Sequence, residues 1–258
     1  MVILLVTAHQ QGETMSNVLY FKAIKVVMAA SFCLLSTVTY AKEAVNKIDD
    51  FTAEYNIVHD GDIVGKAVRI LTNLPDGSIE FSYKTDIEWL IFSDHRKEFT
   101  TNKIVDGNVI PLSYKSDREG TGKDKYYHWS FDAEAKTATN LKKKSPEAKA
   151  IDWPEGLQSK LSYHLQSRFN LINGRKSFDF DVISTKGRIG NYTYKYLGEE
   201  NIMTPFGNLD TVKLQRKKPG KDQITTVWFA RDLNYLMVRL HQIESDFKQV
   251  HAELVSFE

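Results

Sequence analysis

The chain has 258 residues, 42% of them hydrophobic and 12% aromatic, with a formal net charge of +1. A balance this close to neutral argues against general nucleic-acid binding, which needs an excess of phosphate-neutralising cations. The only cysteine, Cys33, lies near the N-terminus, which excludes a disulfide framework and leaves the rest of the chain without thiol chemistry.

Lys22 and Lys25 precede an apolar run from Val26 to Val38, and Thr39-Tyr40-Ala41 puts small residues where a signal peptidase reads them. Residues 1–41 are therefore expected to be a secretory signal peptide, with 1–14, upstream of Met15, as a spurious extension or a longer leader. The run is too short for a comfortable membrane span, and an uncleaved anchor is the alternative. Phe32, not a small residue, precedes Cys33, so no lipid anchor is expected. Cleavage leaves 217 residues, a size suited to one large domain that buries about 70% of its unfolded surface. The expected location is the periplasm, with no integral membrane segment after cleavage.

Lys42–Asp50 reads as a polar, loose tether, and 51–258 as one domain. Alternation then dominates. Phe51, Ala53, Tyr55 and Ile57 share a parity, and Asp60-Gly61 is a hairpin signal. Lys66–Leu74 follows, turned by Pro75-Asp76-Gly77. Phe81, Tyr83, Thr85, Ile87 and Trp89 recur every second residue, and Asp106-Gly107-Asn108 makes the next turn. Tyr127, Trp129 and Phe131 alternate, and Asp132–Ala135 closes another hairpin. Lys142–Ala150 is a charged connector.

Asp152–Gly174 is the one helical stretch, expected over 153–171. Leu157, Leu161, Leu165, Phe169 and Ile172 fall on one face of a 3.6-residue helix. Asp152 with Glu155 suggests a capping box, Pro154 suits the first turn, and Asn173-Gly174 supplies the stop. Further alternating strands run through Phe178–Val182, Tyr192–Tyr196, Val212–Leu214, Val227–Phe229, Leu236–Leu240 and Val250–Phe257. About a dozen strands at this spacing indicate a mainly β fold: a curved antiparallel sheet, half-open barrel or β-roll, packed on one central helix.

No motif announces a reaction. No two histidines share a helical turn with a glutamate between them, and Asp94, His95 and Glu98 read as solvated strand positions, so no metal or cofactor is expected. There is no G-x-S-x-G elbow, although a triad assembled from distant segments stays open. Gly120-Thr121-Gly122-Lys123 lacks the P-loop spacing and reads as a hairpin tip. Lys142-Lys143-Lys144 and Arg216-Lys217-Lys218 read as solvated tips, or as contacts for anionic lipid headgroups. Asn191-Tyr192-Thr193 matches a glycosylation acceptor but sits in a strand. Lys160, His164 and Arg168 form a second helical stripe, a wet flank unless the helix lines a pocket for an anionic head. Trp89-Leu90-Ile91-Phe92 breaks the alternation; it reads as a buried bend with both faces covered, or as an apolar rim at a ligand mouth.

Four segments in order, Phe51–Ala67, Asp94–Lys115, Thr204–Arg216 and Thr225–Leu240, carry a family resemblance. Thr-Pro-x-Gly turning into a strand, then Trp-Phe-Ala-x-Asp-Leu-x-Tyr-Leu, resembles exported bacterial proteins of the domain-of-unknown-function 3108 family. Met237 stands where many such chains have proline. The resemblance implies architecture and no activity. At the level of fold alone it is similar to periplasmic lipoprotein carriers.

The reading that follows is a non-enzymatic binder of a lipid or other amphipathic envelope molecule. Trp89, Phe92, Lys160, His164 and Arg168 are the candidate ligand-lining residues. The alternatives are an envelope assembly factor that binds a protein partner along a sheet edge, and an envelope hydrolase.

Overall fold

A computed structural model describes residues 45–217, 223–244 and 248–258. The leader expected over 1–41 lies outside these residues. The strands are β1 (Phe51–His59), β2 (Asp62–Asn73), β3 (Ile79–Trp89), β4 (Phe92–Val105) and β5 (Asn108–Gly120). Then come β6 (Lys125–Asp132), β7 (Thr137–Asn140) and β8 (Ala148–Ala150), followed by the helix α1 (Ser162–Ile172). The chain continues through β9 (Phe178–Ile183), β10 (Ile189–Thr204), β11 (Gly207–Lys217), β12 (Gln223–Ala230), β13 (Leu236–Glu244) and β14 (Lys248–Phe257).

All 14 strands form one antiparallel sheet in the order β8-β7-β6-β5-β4-β3-β2-β1-β14-β13-β12-β11-β10-β9. The pairing of β1 with β14 joins the two halves of the chain. The sheet is curved and unclosed. Because neighbours run antiparallel, successive turns alternate between two ends. The turn at Asp106-Gly107 and that at 231–235 share one end with α1, here called the lower end. The tips at Asp60-Gly61, Leu90-Ile91, 121–124, 141–147 and 184–188 share the upper end.

One face of each strand supplies the core, as the alternation requires. Ala53, Tyr55, Leu71, Phe81, Leu214, Val227 and Leu254 are buried on it, against Leu161, Leu165 and Phe169 of the helical segment. Phe169 is fully buried.

The helix is shorter than its pattern predicts and starts at Ser162, not near residue 153. Gly156 adopts φ +70°, and the backbone of Gln158 joins the sheet instead: its N–H donates to Asp181 O (2.8 Å), and its carbonyl accepts from Ile183 N (2.9 Å). Those bonds consume groups that a helix would use, so the Asp152–Glu155 box caps nothing helical. The N-cap position is Leu161, which makes no side-chain cap bond, and Ser159, two residues earlier, caps the first turn instead. Its Oγ accepts from Ser162 N (3.0 Å), while Ser159 N donates to Ser162 Oγ (2.7 Å). Leu157 is buried from this strap and not from the helix. At the far end Asn173 and Gly174, the latter at φ +83°, stop the helix as expected.

Polar side chains lock the helix in place. Gln166 Oε1 accepts from Val109 N (2.6 Å), and its Nε2 donates to Gly107 O (3.0 Å). Gln158 Nε2 donates to Val109 O (2.8 Å). Buried amides satisfied in this way fix register without an unpaired cost.

Residues 45–50 are not the loose tether that their polarity suggests. Ile48 is buried, Asn46 Oδ1 accepts from Gly107 N (2.6 Å), and Asp50 Oδ1 accepts from Asn73 N (2.8 Å). Across the open side of the sheet, Trp129 Nε1 donates to Thr185 O (3.1 Å). Gly187, at φ +75°, sits under that ring, where an added Cβ would lie 2.9 Å from it.

Candidate functional site

The lower half of the concave face is apolar and filled. The void enclosed by Phe51, Phe81, Leu165, Phe229 and Leu236, with Arg69, His164 and Arg168, measures about 20 Å³, roughly one water's worth of space. Larger hollows lie outside along β9, such as one of about 450 Å³ bordered by Ile151, Asp152, Pro154, Asp181, Gly187 and Ile189.

Above that core the same face changes chemistry. Cross-strand pairing sets Arg69, Tyr83, Glu98, Ser116 and Tyr127 in one row over β2 to β6. A second row runs Tyr194, Arg216, Thr225 and Gln242 over β10 to β13. Arg69 shares parity with Leu71, and Arg216 with Leu214, so both guanidinium groups point inward from positions where the pattern elsewhere places core residues. Lys160, His164 and Arg168 meet these rows from the helical segment.

The arginines are buried and incompletely satisfied. Arg69 is 6% exposed, lies 5.2 Å from the Tyr83 ring centroid and 5.9 Å from that of Tyr55. Arg216 is 8% exposed, lies 4.2 Å over Tyr192, and donates to Thr225 Oγ1 at 3.3 Å. Among the described residues Arg69 Nε, Arg216 Nε, Arg168 Nη1, Thr85 Oγ1 and, away from this cluster, Arg239 Nε are buried without a hydrogen-bond partner. Leaving such atoms unpaired costs about 1–3 kcal/mol each.

Arg168 has a different task. Its Nε donates to Asn234 O (2.8 Å) and its Nη2 to Leu233 O (3.2 Å), tying α1 to the turn between β12 and β13. Asn234 and Tyr235 hold that turn at φ +53° and +56°. Burial pushes the Arg168 guanidinium down to about 10. Lys160 Nζ donates to Tyr192 Oη (2.5 Å) above the ring of the same tyrosine.

His164 reports that the two rows converge. Burial, then the charges of Arg69, Arg216 and Lys160, push it well below the usual histidine range. Its ring stacks on Tyr163, 4.1 Å between centroids. Glu98 is the carboxylate facing these cations. Burial raises it, and the hydrogen bond from Tyr114 Oη (2.7 Å) with the charges of Arg96, Lys160 and Arg69 offsets this only in part. Nearer the rim, burial would raise Asp94, but hydrogen bonds from Arg96 Nε (2.6 Å) and Arg118 Nε (2.9 Å) outweigh it and hold the carboxyl low. The result is a buried cluster of cations and tyrosines in a chain of near-zero net charge.

Trp89 and Phe92 lie elsewhere. The structure overturns the buried-bend reading of Trp89–Phe92: these residues form an exposed hairpin tip at the upper end, with Leu90 83% and Ile91 86% exposed. A two-residue loop leaves its central side chains no neighbours to pack on. Trp89 lies six residue steps beyond Tyr83 along β3, about 20 Å at the rise of an extended strand. Asp86, Glu88 and His95 bring ligand atoms within 4.8 Å of one another across β3 and β4, with His95 Nδ1 2.7 Å from Asp86 Oδ1. That cluster is on the exposed face and reads as a surface ion pair with a neighbour.

Fold and site together define a barrel-like antiparallel roll, plugged by a helix, with a cluster of buried cations and tyrosines beside the plug. A family profile described as a protein of unknown function, DUF3108, matches residues 76–255, and the chain belongs to that family. No curated protein matches the sequence. Among solved structures, a β-barrel-like DUF1849 protein from Brucella abortus shares 10% identity at a TM-score of 0.55, covering 83% of this chain and 99% of its own. At that identity the likeness concerns fold alone. A candidate lipoprotein from Parabacteroides distasonis, 11% identical, matches 83% of this chain and 97% of its own at a TM-score of 0.33. Among the described residues no helix is long and apolar enough to cross a membrane.

Proposed function

We propose that this is a non-enzymatic binding protein of the cell envelope, whose buried cation cluster takes the anionic group of an amphipathic molecule. The observation that carries this reading is the pair of buried arginines, Arg69 and Arg216, whose Nε atoms lack partners while aromatic faces hold both side chains. A fold tolerates such groups at a cost, and an incoming carboxylate or phosphate oxygen would satisfy them with charge-assisted hydrogen bonds. Lys160 and His164 border the same space. Trp89 and Phe92, towards the upper rim, offer apolar surface for the rest of the molecule. The void beside Arg69 and His164 measures about 20 Å³, so entry of an anionic group requires the surrounding side chains to move aside.

The edge-docking alternative has less behind it. Along β9 the strap at Gln158 already occupies part of the edge, and β8, at the other margin, is three residues long. The test is native mass spectrometry of the protein purified from its own periplasm. A co-purifying anionic amphiphile, absent from an Arg69→Met/Arg216→Met variant, is expected. Repeated clean apo spectra, with no uptake of an anionic acyl probe, would rule the reading out.

A further inference from the structure

We infer that the upper end of the sheet docks on an anionic lipid bilayer, with the Leu90-Ile91 hairpin tip entering the apolar layer. Apart from Trp89 and Phe92 this stands on different residues from the proposed ligand site, and it holds whether or not that site takes a ligand. Leu90 carries φ +54°, a conformation that non-glycine residues seldom adopt and that a tight hairpin normally assigns to glycine. The chain accepts that strain to present two large aliphatic side chains to solvent. Behind them, Trp89 and Phe92 stack at 6.4 Å, and Trp89 packs edge-on against His59 at 4.4 Å. Ile63, at the start of β2, is exposed beside them. Aliphatic residues at the tip with aromatic rings one step back is the layering that a membrane interface favours.

Charge selects the surface. Antiparallel topology puts the other tips at this same end, and those on β5 to β10 are basic: Lys123 and Lys125, Lys142-Lys143-Lys144, and Lys186 with Arg188, all exposed. Asp124 and Glu147 lie among them, and Asp60, Asp62 and Glu88 lie beside the apolar tip. The attraction is therefore set by the lysine tips, and the apolar tip acts by insertion alone. The 121–124 tip adjoins the apolar one, Thr121 Oγ1 donating to Ile91 O (3.3 Å), so Lys123 and Lys125 stand beside it. A protein groove would accept the protruding loop without using the lysines.

The test is co-flotation of the purified mature chain with vesicles of phosphatidylglycerol and phosphatidylethanolamine, against phosphatidylcholine vesicles, at low and high salt. Binding to the anionic vesicles, weakened by salt, is expected, with a blue shift of tryptophan emission. Leu90→Gly/Ile91→Ser should lower binding at least tenfold while raising Tm, because glycine relieves the positive φ. A purely structural tip would not separate those two readouts. Lys142→Ser/Lys143→Ser/Lys144→Ser should weaken binding by about fivefold per lysine. No binding of the native chain to anionic vesicles, or binding unchanged in the tip variant, overturns the inference.

Discussion

The lower and upper halves of one concave face obey opposite rules. Below, Leu161, Leu165 and Phe169 fill the space between helix and sheet, and the glutamines that reach in are paired at both ends of their amides. Above, on the same strands and the same parity, Arg69 and Arg216 occupy inward positions and leave guanidinium nitrogens without partners. The difference teaches where stability and function separate. The lower half is close-packed with one unpaired nitrogen, Arg168 Nη1, whereas the upper half retains Arg69 Nε, Arg216 Nε and Thr85 Oγ1, which packing alone does not explain.

The contrast can be broken most forcefully from below. Phe169→Ala should cost about 3–5 kcal/mol, because a fully buried ring between helix and sheet leaves a cavity that rigid neighbours cannot fill. Urea denaturation would show it as a lowered midpoint. Ser159→Ala should cost less, about 1–2 kcal/mol, through loss of the cap and of a buried hydroxyl beside Thr100.

His164 sharpens the comparison through pH. Its folded pKa is depressed, so its contribution is fully present above its ordinary value of 6.5 and is lost as pH falls below that towards the folded pKa. Over that window the unfolded chain binds the extra proton, and stability should fall with a slope of at most about 1.4 kcal/mol per pH unit. His164→Gln should flatten the slope in thermal melts between pH 7 and 5. The smallest effect on folding is expected from above. Arg69→Met and Arg216→Met should leave stability unchanged or raise it, because each removes a buried guanidinium whose Nε lacks a partner and that makes no salt bridge among the described residues. A loss of several kcal/mol in chemical denaturation would mean that these arginines are structural after all.

Much of the lower half was legible in the chain. Period-two alternation placed most strands, the turn at Asp106-Gly107 lies where its residues require, and the stripe from Leu157 to Phe169 is buried. The helix start was not legible from the Asp152–Glu155 box, because sheet-edge pairing of Gln158 competes for the same backbone and Gly156 takes a left-handed turn. Ser159, three residues before Ser162, was the local signal for the true cap. The tip at Leu90-Ile91 misled because four apolar residues in a row normally mean burial on both faces. For the buried cluster, Lys160, His164 and Arg168 were visible as a flank of the helix, but Arg69 and Arg216 were missed. Their signal was present: an arginine on the dry parity, between Ala67 and Leu71 in one strand and after Val212 and Leu214 in another. What no pattern shows is that two strands so distant in sequence bring those arginines to bear on one histidine.

The most direct test of the proposed ligand site is a fluorescence titration with a pair of acyl probes of equal chain length, one with an anionic head and one with a cationic head. The account predicts saturable, salt-sensitive binding of the anionic probe that the Arg69→Met/Arg216→Met variant loses while remaining folded. Equal affinity for both heads, or undiminished binding by the folded variant, would contradict it.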